Sequence, residues 1–485
     1  MSLFSVWAPY AQSCELVTGS TRIAMQRFHE YFFVRTNVDK PYGFSLDHGP
    51  VRPDPRGREL VGGLAGLTAP PIPKKSVDIS LIYQLHVGAF GGDFYGCAEK
   101  LPYLHALGVT AIQLMPIQPF PGDRNWGYDG LYWHAVAESY GGVQGLRDFV
   151  AACHSYGIAV LVDVVYNHFG PEDNYFHEFG PYNIKKRTPW GRAIAIKHHE
   201  VRSYILDSAR ILLEDYGVDG LRFDSTHAFA DESLLMDFAR LPGVMIAEDL
   251  RNRTDLPFDY QWNDSLHHAI HALVTGERYH HFQQYGEIAQ LKHELQLRYP
   301  SIVYTTTHDQ VGNRPRGDRP AASLTVAQQL FKLALVAATG APLMLFMGEE
   351  YGATTPFPFF VDHQYASTKR GTIKGRARML AEYGFTETQF DPTAADTFAK
   401  ARLDWRENPE VVAGYRQILQ LRKTKPLGEY HVETGENWIA LRGQHYSVIA
   451  NCSDHELPLP FATTVVYSST PTPMQAWGVV WCENM

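Results

Sequence analysis

Four short apolar segments of the chain end in side chains that can do acid, base or nucleophilic chemistry. Three of them end in Asp224, Glu248 and Asp309, and the fourth ends in Tyr166-Asn167-His168. Apolar, β-branched runs with such ends are typical of the strands of a parallel barrel, which deliver reactive groups to its C-terminal rim. Cleavage of a glycosidic bond requires a nucleophile and a proton donor on opposite sides of the anomeric carbon. Three acids on one rim therefore indicate glycosidic bond chemistry.

Arg222 and Asp224 form the first candidate pair. They are two positions apart, so on a strand both side chains face the same side. A guanidinium beside a carboxylate keeps the carboxylate ionised, as a nucleophile that attacks an anomeric carbon must be. A purely structural ion pair at the rim of a barrel is the alternative interpretation.

Glu248 is the candidate proton donor. It ends an apolar strand and follows the small residue Ala247, which leaves room for a ligand. Partial burial would raise the pKa of Glu248 toward the value that a general acid requires. The alternative is an ordinary carboxylate that caps a helix.

Further polar and aromatic residues are candidates for the walls around the same sugar. Asp309 and His308 could bind sugar hydroxyls more strongly as the ring flattens toward the oxocarbenium ion. Tyr128 could stack on the pyranose ring, while Asp129 accepts its hydroxyl hydrogens. His168 would lie beside them at the end of the third strand. In isolation, His308 is equally consistent with a structural histidine.

These residues need a scaffold, and the pattern from Ile79 to about residue 400 supplies one. Strands alternate there with helices, which is the signature of βα units. The predicted strands are 81–87, 111–115, 158–165, 218–224, 244–248, 260–262, 302–309 and 341–348. Eight such units predict an α/β fold, a (β/α)₈ TIM barrel with loop insertions. Helices are predicted at 201–216, 324–339 and 409–423.

The ends of the chain have a different pattern. The first 73 residues alternate short apolar runs with turns, which predicts an N-terminal β-sandwich followed by a Pro-rich hinge at Ala69–Pro73. Short strands return after the last predicted helix and indicate a small C-terminal β-domain. The predicted domains are therefore 1–73, 74–425 and 426–485.

Composition excludes several classes of partner. The net charge of −9, without a long basic run, argues against nucleic acid or an anionic membrane as partner. No apolar stretch of about 18 residues occurs, so no membrane span is expected. The segment Met1–Trp7 lacks the features of a signal peptide. The simplest prediction is a cytoplasmic enzyme, and the sequence predicts no oligomeric state.

No metal or cofactor is predicted. The five cysteines are widely scattered and no pair has metal-ligand spacing, which also gives no indication of a disulfide framework. Asn167 and His168 could hold a structural cation, but they offer too few oxygen ligands to indicate calcium.

The four segments resemble the four short conserved regions of the α-amylase superfamily of glycoside hydrolases. In this chain they are Asp163–His168, Gly220–Asp224, Ala247–Asp249 and Thr307–Asp309. The resemblance implies that Asp224 is the nucleophile, Glu248 the acid/base and Asp309 the transition-state stabiliser. It also implies retention of the anomeric configuration through a covalent glycosyl-enzyme, with the first two carboxyl groups about 5–5.5 Å apart.

Longer stretches narrow the resemblance to the malto-oligosyltrehalose trehalohydrolases within that superfamily. The similar stretches are 247–252, 261–271, 308–314 and 348–363. That family hydrolyses the α-1,4 bond next to a terminal trehalose unit and releases free trehalose. The expected substrate is therefore a malto-oligosaccharide that ends in trehalose.

The same stretches contain the remaining candidate substrate contacts. Polar candidates for trehalose hydroxyls are Asp249, Asn252, Asp264, His268, Gln310 and Arg314, besides Arg222. Aromatic candidates for a closed end of the cleft are Trp262, Phe357 and Phe359, although core packing explains the two phenylalanines equally well. Recognition of this kind leaves buried polar groups unpaired when the wrong sugar binds.

Three other functions remain open from the sequence. A glucan branching enzyme of the same superfamily also has an N-terminal sandwich, but it would usually carry Glu where this chain has Gln310. A plain endo-amylase is weakened by the missing calcium ligands and disulfides. A noncatalytic glucan-binding protein is disfavoured because all three acids are present.

Overall fold

A computed structural model of the chain describes residues 1–38, 40–61, 63–65, 77–188, 190–471 and 474–484. No helix among these residues is long and apolar enough to cross a membrane. In chain order the structure consists of a β-sandwich, a closed barrel with surrounding helices, and a single antiparallel sheet.

The first part of the chain is the predicted β-sandwich. Its strands are β1 (Ser2–Trp7), β2 (Cys14–Thr18), β3 (Thr21–Ala24), β4 (Gln26–Phe28), β5 (Tyr31–Thr36), β6 (Tyr42–Leu46), β7 (Val51–Arg52), β8 (Leu60–Val61) and β9 (Leu64–Ala65). One sheet has the order β1-β5-β4, and the other has the order β3-β2-β6-β9-β8 with β7 beside β6. Phe4 on β1 packs edge to face against Tyr42 on β6, so the two sheets share an apolar core.

Ion pairs attach the sandwich to the rest of the molecule. Arg52 donates two hydrogen bonds to Glu178, at 2.9 and 2.8 Å. Arg56 pairs with Asp207 at 2.5 Å. The Pro-rich hinge Ala69–Pro73 lies outside the described residues, and the domain boundaries near 73 and 425 remain a proposal.

The central part is a closed barrel of eight parallel strands, as predicted. A separate two-stranded hairpin, β13 (Asn183–Arg187) and β14 (Arg192–Ile194), lies in the chain between the third and fourth barrel strands. The barrel strands are β10 (Leu81–Leu85), β11 (Ala111–Leu114), β12 (Ala159–Val164), β15 (Gly220–Phe223), β16 (Val244–Ala247), β17 (Tyr260–Trp262), β18 (Ser301–Tyr304) and β19 (Leu343–Phe346). Every residue of β10, β11, β12 and β15 is buried, because a parallel barrel covers both faces of its strands.

Helices surround the barrel and connect its strands. They are α1 (Val87–Phe90), α2 (Phe94–Ala98), α3 (Leu101–Leu107), α4 (Gly142–Ser155), α5 (Phe176–Phe179), α6 (His199–Arg210), α7 (Ser233–Phe238), α8 (Asp264–Thr275), α9 (Ile288–Gln296), α10 (His308–Gly312), α11 (Val326–Ala338), α12 (Ala366–Glu382), α13 (Ala395–Ala401) and α14 (Pro409–Thr424). The three helices predicted from the sequence are confirmed. The first of them is α6, whose last turn continues as a π-helix over Ile211–Asp215.

The seventh barrel strand is shorter than predicted. β18 ends at Tyr304, whereas the sequence pattern extends the strand to Asp309. The difference arises because Thr307 and Gln310 form a capping box that starts α10. Asp309 therefore lies in the first turn of a helix above the barrel, and not on the strand itself.

The last part of the chain is the predicted C-terminal β-domain. Its strands are β20 (Tyr430–Thr434), β21 (Trp438–Gly443), β22 (Tyr446–Asn451), β23 (Thr463–Ser468) and β24 (Val479–Asn484). They form one sheet of order β20-β21-β22-β24-β23, and every neighbouring pair is antiparallel.

Candidate active site

Asp224 and Glu248 leave neighbouring barrel strands at the same height. Phe223 and Ala247 are the last residues of β15 and β16 and are register partners. Asp224 and Glu248 directly follow them. The backbone N–H of Glu248 donates to the carbonyl of Phe223 at 3.1 Å. Strands in a sheet lie about 4.8 Å apart, so the two acids are direct neighbours on the C-terminal rim.

Arg222 lies beneath these acids and binds three carboxylates at once. Its Nη1 atom lies 2.7 Å from each carboxylate oxygen of Asp163 and 3.2 Å from Oδ1 of Asp224. Its Nη2 atom lies 2.6 Å from Oε2 of Glu248. The Arg222 side chain is fully buried, so the bound carboxylates are what keep its positive charge stable inside the barrel.

We expect Arg222→Met to destabilise the fold by about 3–5 kcal/mol, because it leaves the buried carboxylate of Asp163 without its cation. Urea unfolding followed by circular dichroism measures the effect. The double variant Arg222→Met/Asp163→Asn is the control, and it should recover part of the loss because the unpaired charge is gone. A single variant as stable as the wild type would contradict this role of Arg222.

Asp224 receives donors on both oxygens. Besides Arg222 on Oδ1, the Nδ2 atom of Asn167 donates to Oδ2 at 3.0 Å and to the backbone carbonyl of Asp224 at 3.2 Å. Donors on both oxygens fix the orientation of the carboxylate. Asn167 was not among the predicted substrate contacts, although it belongs to the segment that ends in His168.

Glu248 has the environment of a proton donor. Burial raises the pKa of Glu248 above its ordinary value, Arg222 opposes this shift, and the charge of Asp224 adds to it. The backbone N–H of Ser225 donates to Oε2 of Glu248 at 3.0 Å and fixes the carboxyl group. A raised pKa suits a carboxyl group that donates a proton in glycosidases.

Asp309 and His308 approach the same acids from α10. Burial and repulsion by Glu248 raise the pKa of Asp309 well above its ordinary value, with Arg222 opposing the shift. Oδ2 of Asp309 lies 3.4 Å from Nε2 of His308. Burial, followed by the charge of Arg222, lowers the pKa of His308 well below its ordinary value, so this histidine is neutral.

Tyr128 connects His308 to the base of the site. Its hydroxyl donates to Oδ2 of Asp163 at 2.7 Å, and Nε2 of His308 lies 2.8 Å from the same hydroxyl. The two rings stack with centroids 5.4 Å apart. Gln84 on β10, which sequence reasoning missed, accepts a hydrogen bond from the backbone N–H of His308 at 3.1 Å. One face of the Tyr128 ring is thus covered by His308.

His168 and Asp129 lie together on another wall. Nε2 of His168 lies 3.1 Å from the carbonyl of Tyr128, and Asn125 donates to Oδ2 of Asp129 at 2.9 Å. The ring of Trp190 stacks on His168 at a centroid distance of 5.7 Å. Trp190 is 48% exposed, so it leaves an aromatic surface open for a ligand. The sequence pattern did not single out Trp190, which lies between β13 and β14.

Asp264 and Gln310 form a polar pair close to the acids. Oδ1 of Asp264 accepts hydrogen bonds from the hydroxyl of Tyr304 at 2.8 Å and from Nε2 of Gln310 at 3.2 Å. Oε1 of Gln310 in turn accepts from the backbone N–H of Thr307 at 2.8 Å. Burial and the charge of Glu248 raise the pKa of Asp264 to about 6. Gln310 therefore connects Asp264 to the start of the helix that carries Asp309.

Asp249 is held by internal partners. Its carboxylate is fully buried, pairs with Arg251 at 2.6 Å and accepts a hydrogen bond from the hydroxyl of Thr226 at 2.9 Å. These contacts fix the loop after β16, and a contact of Asp249 with sugar stays a prediction. Asn252 is half-buried and donates to Oγ of Ser265 at 2.5 Å, so its contact with substrate stays a prediction.

His268 and Arg314 belong to a different environment. His268 is 9% exposed and stacks on His281 with centroids 5.4 Å apart, inside a cluster of rings along α8. Nη2 of Arg314 donates to both carboxylate oxygens of Glu277, at 2.8 and 2.7 Å. Both side chains thus have internal partners, and their contact with trehalose stays a prediction.

Two of the three predicted aromatic contacts lie in the core. Trp262 is 1% exposed, and the guanidinium of Arg222 lies 4.1 Å from the centre of its ring. Phe357 is 0% exposed and stacks on Trp126 at 5.4 Å. Burial of their hydrophobic surface stabilises the fold around the site. Phe359 is half-buried beside Trp126, and its contact with substrate stays a prediction.

No group of three or more His, Cys, Asp or Glu residues that could hold a metal ion occurs in the described part of the chain. Arg222 and hydrogen-bond donors contact the acids of the site. Such an arrangement supports proton transfer and nucleophilic attack by side chains.

Comparisons with known proteins agree with the geometry of the site. Residues 74–192 match the family described as alpha amylase, catalytic domain. The solved structure titled a putative alpha amylase from Salmonella typhimurium superimposes with a TM-score of 0.90 at 29% identity, covering 100% of this chain and 97% of that one. The resemblance to the α-amylase superfamily is thereby confirmed.

Full-length relatives narrow the assignment. A malto-oligosyltrehalose trehalohydrolase from Mycobacterium tuberculosis is 34% identical, over 96% of this chain and 95% of the relative. Another, from Saccharolobus solfataricus, is 34% identical over 96% of this chain and 93% of the relative. The chain is a glycoside hydrolase of the α-amylase superfamily and belongs to the malto-oligosyltrehalose trehalohydrolase family.

Proposed function

We propose that the chain hydrolyses the α-1,4-glucosidic bond next to the terminal trehalose of a malto-oligosyltrehalose, with retention, using Asp224, Glu248 and Asp309. The observation that carries this proposal is the contact of one buried guanidinium, that of Arg222, with both Asp224 and Glu248. A shared guanidinium keeps the two carboxyl groups close, as in retaining enzymes, where they are about 5–5.5 Å apart.

The first step forms a covalent intermediate. A carboxylate oxygen of Asp224 attacks the anomeric carbon of the glucose that precedes trehalose. Glu248 gives its proton to the glycosidic oxygen, the bond breaks, and trehalose leaves with a free hydroxyl group. The malto-oligosyl group is then held as an ester on Asp224.

The second step consumes water. The ionised Glu248 takes a proton from a water molecule whose oxygen attacks the anomeric carbon. The ester bond to Asp224 breaks, and the shortened malto-oligosaccharide leaves as the α-anomer. Asp309 and the neutral His308 lie where hydrogen bonds to the hydroxyls of the reacting ring would strengthen in the transition state.

Other side chains supply candidate contacts around this ring and the leaving group. On one wall they are Tyr128, Asp129, His168 and the exposed Trp190. On the side of Glu248 they are Asp264 and Gln310, whose hydrogen bond brings them together, with Asn252 and Phe359 further out. We place trehalose on this second side, because the acid/base must reach the oxygen of the leaving group.

We expect Asp264→Asn to move the alkaline limb of the kcat/KM profile to lower pH. The rate falls on that limb as Glu248 loses its proton, and the negative charge of Asp264 near Glu248 holds the proton in place. The pH dependence of trehalose release, measured for both proteins, tests this. An unchanged limb, or a shift to higher pH, would show that Asp264 does not influence the acid.

Product analysis tests the function itself. The wild type is incubated with maltopentaosyl-trehalose and, separately, with maltoheptaose, and the products are separated by chromatography. Free trehalose from the first and little reaction with the second are expected. Longer or branched glucans from maltoheptaose would indicate a transferase such as a branching enzyme, and rapid internal cleavage would indicate an amylase.

We also propose a cytoplasmic location. All five cysteines lie among the described residues and are free thiols. Free thiols without a disulfide framework are typical of a reducing compartment.

A further inference from the structure

A cleft lies between the β-sandwich and the barrel loop that follows β11. Its volume is about 540 Å³, within the range of ligand-binding pockets. The sandwich contributes Val51 and Arg52 on β7, and the loop contributes Pro119–Asp123 and Leu131–Tyr132. Asp173 and Tyr175 close one side.

The walls of this cleft are held in place by specific contacts. Arg52 is paired with Glu178 through two hydrogen bonds, and its guanidinium lies 3.8 Å from the centre of the Tyr175 ring. The Tyr175 hydroxyl donates to Oδ1 of Asp173 at 3.0 Å, and the Tyr132 hydroxyl donates to the carbonyl of Asp173 at 3.3 Å. The cleft is thus formed before any ligand binds.

The charges of the lining disfavour an anionic ligand. Arg52, the cation among the described lining residues, is already held by Glu178. Asp123, Glu138 and Asp173 contribute carboxylates, and that of Asp123 has no hydrogen bond or ion pair in the described part of the chain. Carboxylates of this kind accept hydrogen bonds from neutral hydroxyl groups.

The remaining lining supplies aromatic and apolar surface. Phe120 is half-buried in the wall, with Tyr132 and Tyr175 nearby. Aromatic faces combined with acceptor oxygens suit a neutral ring that carries many hydroxyls, because its flat apolar side stacks while its edge donates hydrogen bonds.

We propose that this cleft binds a segment of an α-1,4-glucan chain, as a second sugar site outside the active site. The choice of glucan rests on the proposed function, which makes a malto-oligosaccharide the substrate. The loop after β11 presents Tyr128 and Asp129 to the active site and Phe120 and Tyr132 to this cleft. Long substrates would be held by both sites, whereas short ones would be held by the active site alone.

The test uses the full chain and two tryptophan variants. Ser139→Trp places a large ring on an exposed position of the cleft wall, in the short 3₁₀ helix Glu138–Tyr140. Ser155→Trp is the matched control, because Ser155 is an exposed residue at the end of α4 that does not line the cleft. Each change is made in the wild type and in the Asp224→Asn variant, and calorimetric titration of the Asp224→Asn proteins with maltopentaosyl-trehalose measures its Kd.

We expect Asp224→Asn and its Ser155→Trp form to bind maltopentaosyl-trehalose with the same Kd, and its Ser139→Trp form to bind it about two- to tenfold more weakly, as for the loss of a stacking contact. In the active proteins, Ser139→Trp should raise the KM for a long trehalose-terminated glucan by a similar factor and leave that for maltosyl-trehalose unchanged. An unchanged Kd in the Ser139→Trp form, or an equal effect on both substrates, would overturn the proposal. Failure of the proposed function is distinct, since the wild type would then release no trehalose from either substrate.

Discussion

Asp224→Asn is expected to lower kcat for maltopentaosyl-trehalose by about four orders of magnitude or more, because the amide cannot attack the anomeric carbon and no ester can form. The substitution preserves the size of the side chain and one oxygen for Arg222 or Asn167. The effect should therefore be confined to the chemical step. Release of trehalose, followed over hours at high enzyme concentration, measures the residual rate.

A surface carboxylate provides the control for this substitution. Asp148 is exposed on α4, where it accepts hydrogen bonds from Gln144 and Tyr95. Asp148→Asn should retain the wild-type rate. Binding of maltosyl-trehalose to Asp224→Asn and an unchanged unfolding transition would show that its active site is intact. Activity of Asp224→Asn within tenfold of the wild type would reject Asp224 as the nucleophile.

Glu248→Gln is expected to lower kcat about 10²- to 10⁴-fold for the natural bond, because the leaving trehalose oxygen then departs without a proton. A substrate whose leaving group needs no proton should lose much less in the formation of the ester. Maltosyl fluoride is such a substrate. Initial rates of fluoride release and of trehalose release, measured on the same preparation, separate the two effects.

The two variants therefore have different signatures. Asp224→Asn should be inactive on both substrates, since the nucleophile is needed whatever the leaving group. Glu248→Gln should form the glycosyl-enzyme rapidly from the fluoride and hydrolyse it slowly, since the same residue activates water. An equal loss on both substrates in Glu248→Gln would reject its role as the acid.

The fold could be predicted from the sequence because its strands are buried on both sides. Ala159–Val164 is apolar apart from Asp163, Leu343–Phe346 is apolar throughout, and helices separate such runs. The predicted end of the seventh strand at Asp309 was wrong, because the capping box of Thr307 and Gln310 starts a helix before that residue. A capping box is a short local signal, and the apolar pattern of the strand does not reveal it.

The catalytic acids could be proposed from the sequence, whereas the side chains that contact the surrounding histidines could not. Asp224 and Glu248 end strands and lie in short motifs, so their positions follow from local pattern. Gln84 contacts His308, and Trp190 contacts His168. The two residues of each pair lie far apart in the sequence. Nothing near either residue in the sequence indicates those contacts, since they depend on closure of the barrel and on the path of a loop.

The sequence did not show which candidate substrate contacts have internal partners. Asp249, His268 and Arg314 each contact another side chain of the protein, and Trp262 and Phe357 are buried in the core. Residue type indicates that a side chain can bind a hydroxyl or a ring, but it does not indicate whether another side chain already occupies it. That information resides in the packing between elements.

Trapping of the covalent intermediate tests the central claim most directly. The wild type is treated with a maltosyl fluoride that carries a second fluorine on the reacting ring, which slows hydrolysis of the ester, and is then digested for mass spectrometry. One glycosyl group on the peptide that contains Asp224 is the expected result. A glycosyl group on Glu248 or Asp309, or turnover of the reagent to a product of inverted configuration, would contradict the account.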